Sequence, residues 1–265
     1  MADFNEPPVV EMAIGAQFRP VPELRGINLG ALRSEWRNLY PVVEEHPPLA
    51  PAIESPATPG LEIQFAVRPG LPANRYWFTS ADGTHLVQIQ SDRLIVNWRG
   101  VAPGETSRYP RYPTMRETFN ARLTELAAFA DQEGLAPPRI TQVEVNYINA
   151  LPVAHEDQGR LEHVLRSWSG LRDHHLGDPA EGRASMIFEV PGLGTPPVRL
   201  FVNVDPAVAP DGSSAWFMTL MVRGAPSGED VADALEFADG AHEHLVASFM
   251  ELTTESMHAK WGLRA

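Results

Sequence analysis

Residues 75–99 read RYWFTSADGTHLVQIQSDRLIVNWR. Three runs, RYWFTSA, HLVQIQ and RLIVNWR, are rich in β-branched and aromatic residues, and ADGT and SD separate them. Turns this short join antiparallel neighbours, because a parallel crossover needs a dozen or more residues. The stretch therefore predicts an antiparallel meander, and the rest of the chain is read around it.

Upstream, VVEMAIGAQF (Val9 to Phe18) alternates as a strand, with Val10, Met12, Ile14, Ala16 and Phe18 on one side. GINLGALRSEWRNLYP follows with Leu29, Leu32, Trp36 and Leu39 at helical spacing. EEHPPLAPAIESPATPG is too proline-dense for a helix or a central strand, and LEIQFAVR predicts one more strand before the meander. Downstream, roughly Thr114 to Glu133 predicts a helix with Met115, Phe119, Leu123, Leu126 and Phe129 on one stripe.

After that helix the order restarts. ITQVEVNYINAL predicts a strand, DQGRLEHVLRSW a helix, and RDHHLGDPAEG a polar loop. ASMIFEV, VRLFVNV and AWFMTLMV predict strands, and Glu229 to Thr253 predicts a long helix. The element order predicts an α+β protein of tandem βα(β)3–4α units, residues 1–136 and 137–265, either as two domains or as one continuous structural domain. Each unit has a curved antiparallel sheet with helices on one face, like the duplicated topology of the TATA-binding-protein class. The alternative is one unduplicated α+β domain.

Bulk properties exclude several functions. The 265 residues carry a formal charge of −13, which argues against nucleic acid as a main partner. Zero cysteines remove thiolate nucleophiles and cysteine-ligated zinc, and fit a reducing compartment. The start, MADFNEPPVVEMAIG, has no basic segment followed by an apolar run, and no stretch of some eighteen apolar residues occurs. The expectation is a cytoplasmic protein without membrane attachment.

Chemical motifs are sparse. No GxSxG elbow, GxxxxGK[ST] loop or GxGxxG is present, and no cofactor is expected. In the last long helix His242 falls on the packing stripe with Leu235, Ala238, Leu245, Phe249 and Leu252. His244 lies about 200° around the helix, so the two imidazoles cannot grip one ion. Asp173, His174, His175 and Asp178 in RDHHLGDPAEG are weak metal-ligand candidates, and the plainer reading is a solvated loop. His258 and Trp261 are expected to dock the final short turn on the body.

The stronger signal is strand alternation. If Leu61, Ile63, Phe65, Val67, Val143, Val145 and Tyr147 face the helices, the reverse side carries Gln17, Gln64, Arg68, Gln88, Gln90, Asn97, Arg99, Gln142, Glu144, Asn146, Arg199, Asn203 and Arg223. Ile95, Ile148, Phe201, Phe217 and Met221 share that side. Amides and arginines mixed with apolar area suit recognition of a ligand or protein, although antiparallel sheets also commonly leave one face wet. Beside it, Arg99, Arg108, Tyr109, Arg111, Tyr112 and Arg116 form a basic and aromatic cluster fit for a small anion or an acidic partner segment.

Several strings, PPVVEMAIGAQF, YPVVEEHPPLAP, residues 75–99, YPRY, VNYIN and LTTESMHAKWG, together resemble a sporadically distributed prokaryotic family of about this length that carries no assigned activity. The resemblance runs over nearly the whole chain. It implies a bacterial or archaeal cytoplasmic protein, complete at both ends, with no established cofactor and no catalytic residue to carry over. It places Asn97, Trp98, Arg99, Tyr109, Arg111, Tyr147, Asn149, His258 and Trp261 in family-typical strings, and leaves RDHHLGD outside them.

The first expectation is a non-catalytic binding or accessory protein that holds a small anion or a partner protein on the sheet face. The second is an enzyme of an unlisted type, with Arg99 and Arg111 positioning an anionic substrate and His258 or Glu144 as acid or base. The third is a homo-oligomer such as a homodimer, joined through Phe217 and Met221.

Overall fold

The computed structural model describes residues 4–26, 28–52, 54, 74–100, 109–152, 160–169, 175, 181–208 and 212–264. The strands are β1 (Val9–Phe18), β2 (Val42–His46), β3 (Arg75–Thr79), β4 (His85–Gln90), β5 (Arg93–Arg99), β6 (Ile140–Pro152), β7 (Ala184–Glu189), β8 (Thr195–Val208) and β9 (Ser214–Ala225). The helices are α1 (Gly30–Trp36), α2 (Tyr112–Gln132), α3 (Val231–Leu252) and α4 (Glu255–Lys260).

All nine strands join one antiparallel sheet in the order β2-β3-β4-β5-β1-β6-β9-β8-β7. This corrects the expected α+β protein of tandem units on the TATA-binding-protein-like plan. The fold is dominated by a single sheet, with two long helices and two short ones among the described residues. The physical cause lies at the centre, where β1 and β6 pair from Val9↔Asn149 to Phe18↔Ile140 and leave no edge between the halves of the chain. DQGRLEHVLRSW, expected as a helix, contributes only a single 3-10 turn at Leu161–His163 among its described residues. β2 is a strand that the proline-rich reading did not foresee, while LEIQFAVR lies outside the described residues.

Alternation assigns the two faces. Met12, Ile14, Ala16 and Phe18 of β1, Leu94, Val96 and Trp98 of β5, and Val143, Val145 and Tyr147 of β6 are buried on the side that receives α2 and α3. The predicted α2 stripe of Met115, Phe119, Leu123, Leu126 and Phe129 is buried against it. At roughly 1.5–3 kcal/mol per fully buried large apolar side chain, this face dominates the favourable side of folding. Leu39, expected in the α1 stripe, is 57% exposed because α1 ends at Trp36.

Helix α3 starts with a reciprocal capping box. The Asp233 backbone amide donates to Asp230 at 2.9 Å, and the Asp230 amide donates to Asp233 at 3.2 Å. Its other end hands over to α4, where Thr253 Oγ1 lies 2.8 Å from His258 Nε2, and the buried His258 and Trp261 seal the turn as expected. Among the described residues no helix is long and apolar enough to cross a membrane.

Candidate functional site

The reverse face holds most of the sequence-predicted site, and most of its polar side chains are already engaged. Leu49, Ala50, Ala52 and Glu54 form a strap over it. Gln90 on β4 donates to the Leu49 carbonyl and accepts from the Leu49 amide, both at 3.0 Å. Arg93 on β5 donates to the Ala50 carbonyl at 3.0 Å. Gln17 on β1 exchanges two hydrogen bonds with Ala52, and Gln142 on β6 donates to the same carbonyl at 2.6 Å. Arg223 on β9 and Arg199 on β8 close on the Glu54 carboxylate at 2.7 and 2.8 Å. The strap thus meets six adjacent strands in their order in the sheet. Pro47, Pro48 and Pro51 keep it from pairing as a ladder strand, so its main-chain groups need side-chain partners, and the glutamines supply them.

Most of the remaining candidates on this face are engaged too. Gln88 donates to Asn97 at 2.9 Å and accepts from Arg75, and Asn97 donates to Glu11 at 2.8 Å. Arg99 donates to the Gly83 carbonyl, and its guanidinium lies 6.0 Å from the Trp77 ring centre. Asn203 accepts from Ser185 at 2.8 Å. Asn146 Oδ1 is buried and has no hydrogen-bond partner among the described residues. Gln64, Arg68, Arg108, Asp173, His174 and Asp178 lie outside the described residues, and His175 is exposed. No group of three or more metal-ligating side chains converges among the described residues.

The opposite side differs. Tyr109, Arg111 and Tyr112, expected beside the reverse face, stand on the helix side at the start of α2. There they meet Tyr147 of β6 and His242 of α3. Tyr109 and Tyr147 hydroxyls are 3.1 Å apart, and the Tyr147 hydroxyl is 2.9 Å from His242 Nδ1. Tyr112 stacks on the His242 ring with centroids 3.9 Å apart and planes 7° from parallel. Its hydroxyl donates to Asp239 at 2.7 Å, and Arg116 donates to the same oxygen at 2.6 Å.

This Tyr109–Tyr147–His242 chain borders a cleft of about 1040 Å³ between α2, α3 and the entry to β1. Pro7, Pro8, Val9, Leu220, Val246 and Phe249 give it largely apolar walls, with Asn149 among the polar ones. Arg111 donates to the Phe4 carbonyl at 2.9 Å and so ties the start of α2 to the N-terminal segment at the rim. Its backbone sits at φ 73°, ψ 158°, a region almost confined to glycine.

Burial sets the protonation states. It pushes the Tyr109 phenol up to about 12 and raises Tyr147 well above the usual phenol range. It drives His242 down to about 4, against the attraction of Asp239. Burial works against the Asp239 carboxylate, but hydrogen bonds from Arg116 and Tyr112 outweigh it and hold its pKa below the ordinary value. At neutral pH the chain is therefore uncharged. Its protons can run from Tyr109 toward His242 or the reverse, so the Tyr109 end presents either an acceptor or a donor.

Tyr147, His242, Asp239 and Asn149 were not in the sequence-derived site. The available signal was a polar group on an otherwise apolar face: His242 on the packing stripe of α3 and Tyr147 in phase with Val143 and Val145. Comparison with protein-family models, with curated proteins and with solved structures finds no match.

Proposed function

We propose that this is a small-molecule-binding protein whose site is the cleft between α2 and α3, and that its ligand is a neutral, planar, largely apolar molecule with one hydroxyl or carbonyl. The observation that carries the reading is the uncharged Tyr109–Tyr147–His242 chain beside an apolar cleft of about 1040 Å³. Ligand pockets have this constitution, apolar walls with few directional polar groups, and usually enclose about 300–1,000 Å³. The lining sets Arg111 and Arg264 against Asp239 and Glu243, and Asp239 is further matched by Arg116 and Tyr112, so its formal charges leave no surplus of cations to select an anion. A cytoplasmic accessory role, which the resemblance to the prokaryotic family implies, fits such a binder.

The test uses 2-naphthol and naphthalene as probes, followed by calorimetry. The hydroxyl is expected to strengthen binding about tenfold, the effect of one net hydrogen bond of about 1.4 kcal/mol. Tyr109→Phe should erase that margin, because Tyr109 is the end of the chain that meets the ligand, and Val246→Trp should block both probes by filling the cleft. Failure of both probes to bind the wild-type protein, or unchanged binding in Val246→Trp, overturns the reading.

A further inference from the structure

The sheet has two edge strands, and they are built differently. β2, VVEEH, carries two glutamates and lies between Pro41 and the Pro47–Pro48 pair, features that discourage a further strand from pairing. β7, ASMIFE, has no proline and one charge, and exposes Ile187 (39%) and Phe188 (41%) on opposite faces. Among the described residues nothing pairs with its outer edge.

The hydrogen-bond phase of β7 is fixed. The Val190 amide donates to the Val198 carbonyl at 2.8 Å, and the register from Ala184↔Val204 to Glu189↔Arg199 continues the same ladder. In an antiparallel ladder alternate residues point their main-chain groups the same way. Ala184, Met186 and Phe188 therefore bond inward to β8, while Ser185, Ile187 and Glu189 turn their N–H and C=O groups outward.

We propose that β7 pairs antiparallel with β7 of a second copy of this chain, about a two-fold axis through Ile187, joining two sheets into one. Centring the axis on this residue places Ile187 opposite its own counterpart, Met186 opposite Phe188, and Ser185 opposite Glu189. All outward main-chain groups from 185 to 189 are then satisfied by about six intermolecular hydrogen bonds. Side chains match as well: apolar groups meet apolar groups on both faces. The exposed Arg183, on the same face as Ser185, falls diagonal to the partner's Glu189. The same strand order gives opposite charges at its two ends, so an antiparallel self-pair is complementary and a parallel one is not. The contact is isologous and closes at two copies.

The absence of native cysteine makes a clean test possible. In Ile187→Cys the two thiols would face each other with Cα atoms about 5.5 Å apart, within disulfide range. Under mild oxidation Ile187→Cys should convert mostly to a covalent dimer, and Met186→Cys, which faces Phe188, should not. Sedimentation of the full chain should show a dimer, and Ile187→Lys should be monomeric with an unchanged circular-dichroism spectrum. A wild-type monomer across a wide concentration range, a dimer that persists in Ile187→Lys, or cross-linking at Phe217→Cys in place of Ile187→Cys would overturn the proposal.

Discussion

The two faces of the sheet both hold polar side chains out of water, and they use them in opposite ways. On the reverse face Gln17, Gln90, Gln142, Arg199 and Arg223 are consumed by a strap of their own chain. On the helix face a smaller set, Tyr109, Tyr147 and His242, borders an open cleft. A count of polar groups points to the first face, whereas a site needs polar groups next to space, which the second provides.

Four measurements would break or sharpen this contrast. The largest effect is expected for Glu54→Ala, which leaves the buried Arg199 and the mostly buried Arg223 without this carboxylate and should cost about 3 kcal/mol in denaturant unfolding. Probe binding in the cleft should not change. Loss of binding would couple the faces and break the division.

Next is pH. His242 has a folded pKa of about 4, below its ordinary 6.5, so the unfolded chain takes up a proton that the folded chain refuses. Its stability contribution is fully present above about pH 6.5 and is lost as pH falls toward 4, by about 2 kcal/mol after allowance for its partial exposure. Burial lowers His85, His244 and His258 in the same sense, so the comparison is with His242→Gln. Thermal melts of that variant should show a shallower loss between pH 7 and pH 4; an identical slope would remove His242 from the account.

Tyr109→Phe removes the ligand-facing hydroxyl of the chain and should cost about 1 kcal/mol, as well as the probe's hydroxyl preference. Gln142→Ala, which loses one bond to Ala52, should cost about 1 kcal/mol or less and leave binding intact. If Gln142→Ala weakened the probe more than Tyr109→Phe did, the roles of the two faces would be reversed.

Local physics made much of this readable in the sequence. The stripe from Met115 to Phe129, the alternation of β1 and β6, and the docking of His258 and Trp261 follow from periods of 3.6 and 2, which act over a few residues. Strand order is not local. Nothing in ITQVEVNYINAL says that its neighbour is VVEMAIGAQF, more than a hundred residues earlier, so the single sheet was missed and two units were expected. The strap was hidden for a related reason: prolines excluded ladder pairing for 49–54 but did not say which side chains would take its carbonyls. Tyr109, Arg111 and Tyr112 were picked out and assigned to the wrong side, because an N-terminal helix turn can face either way until its partners, His242 and Asp239, are known.

Arg111 bears on how long a guest stays. Its glycine-like backbone holds about 1–3 kcal/mol of strain while its guanidinium grips the Phe4 carbonyl, so the rim of the cleft is a sprung latch. Arg111→Gly would relax the spring and cut the latch in one step. Arg111→Ala would cut the latch and keep the spring, so the dissociation rates of the two variants, set side by side, would separate one from the other.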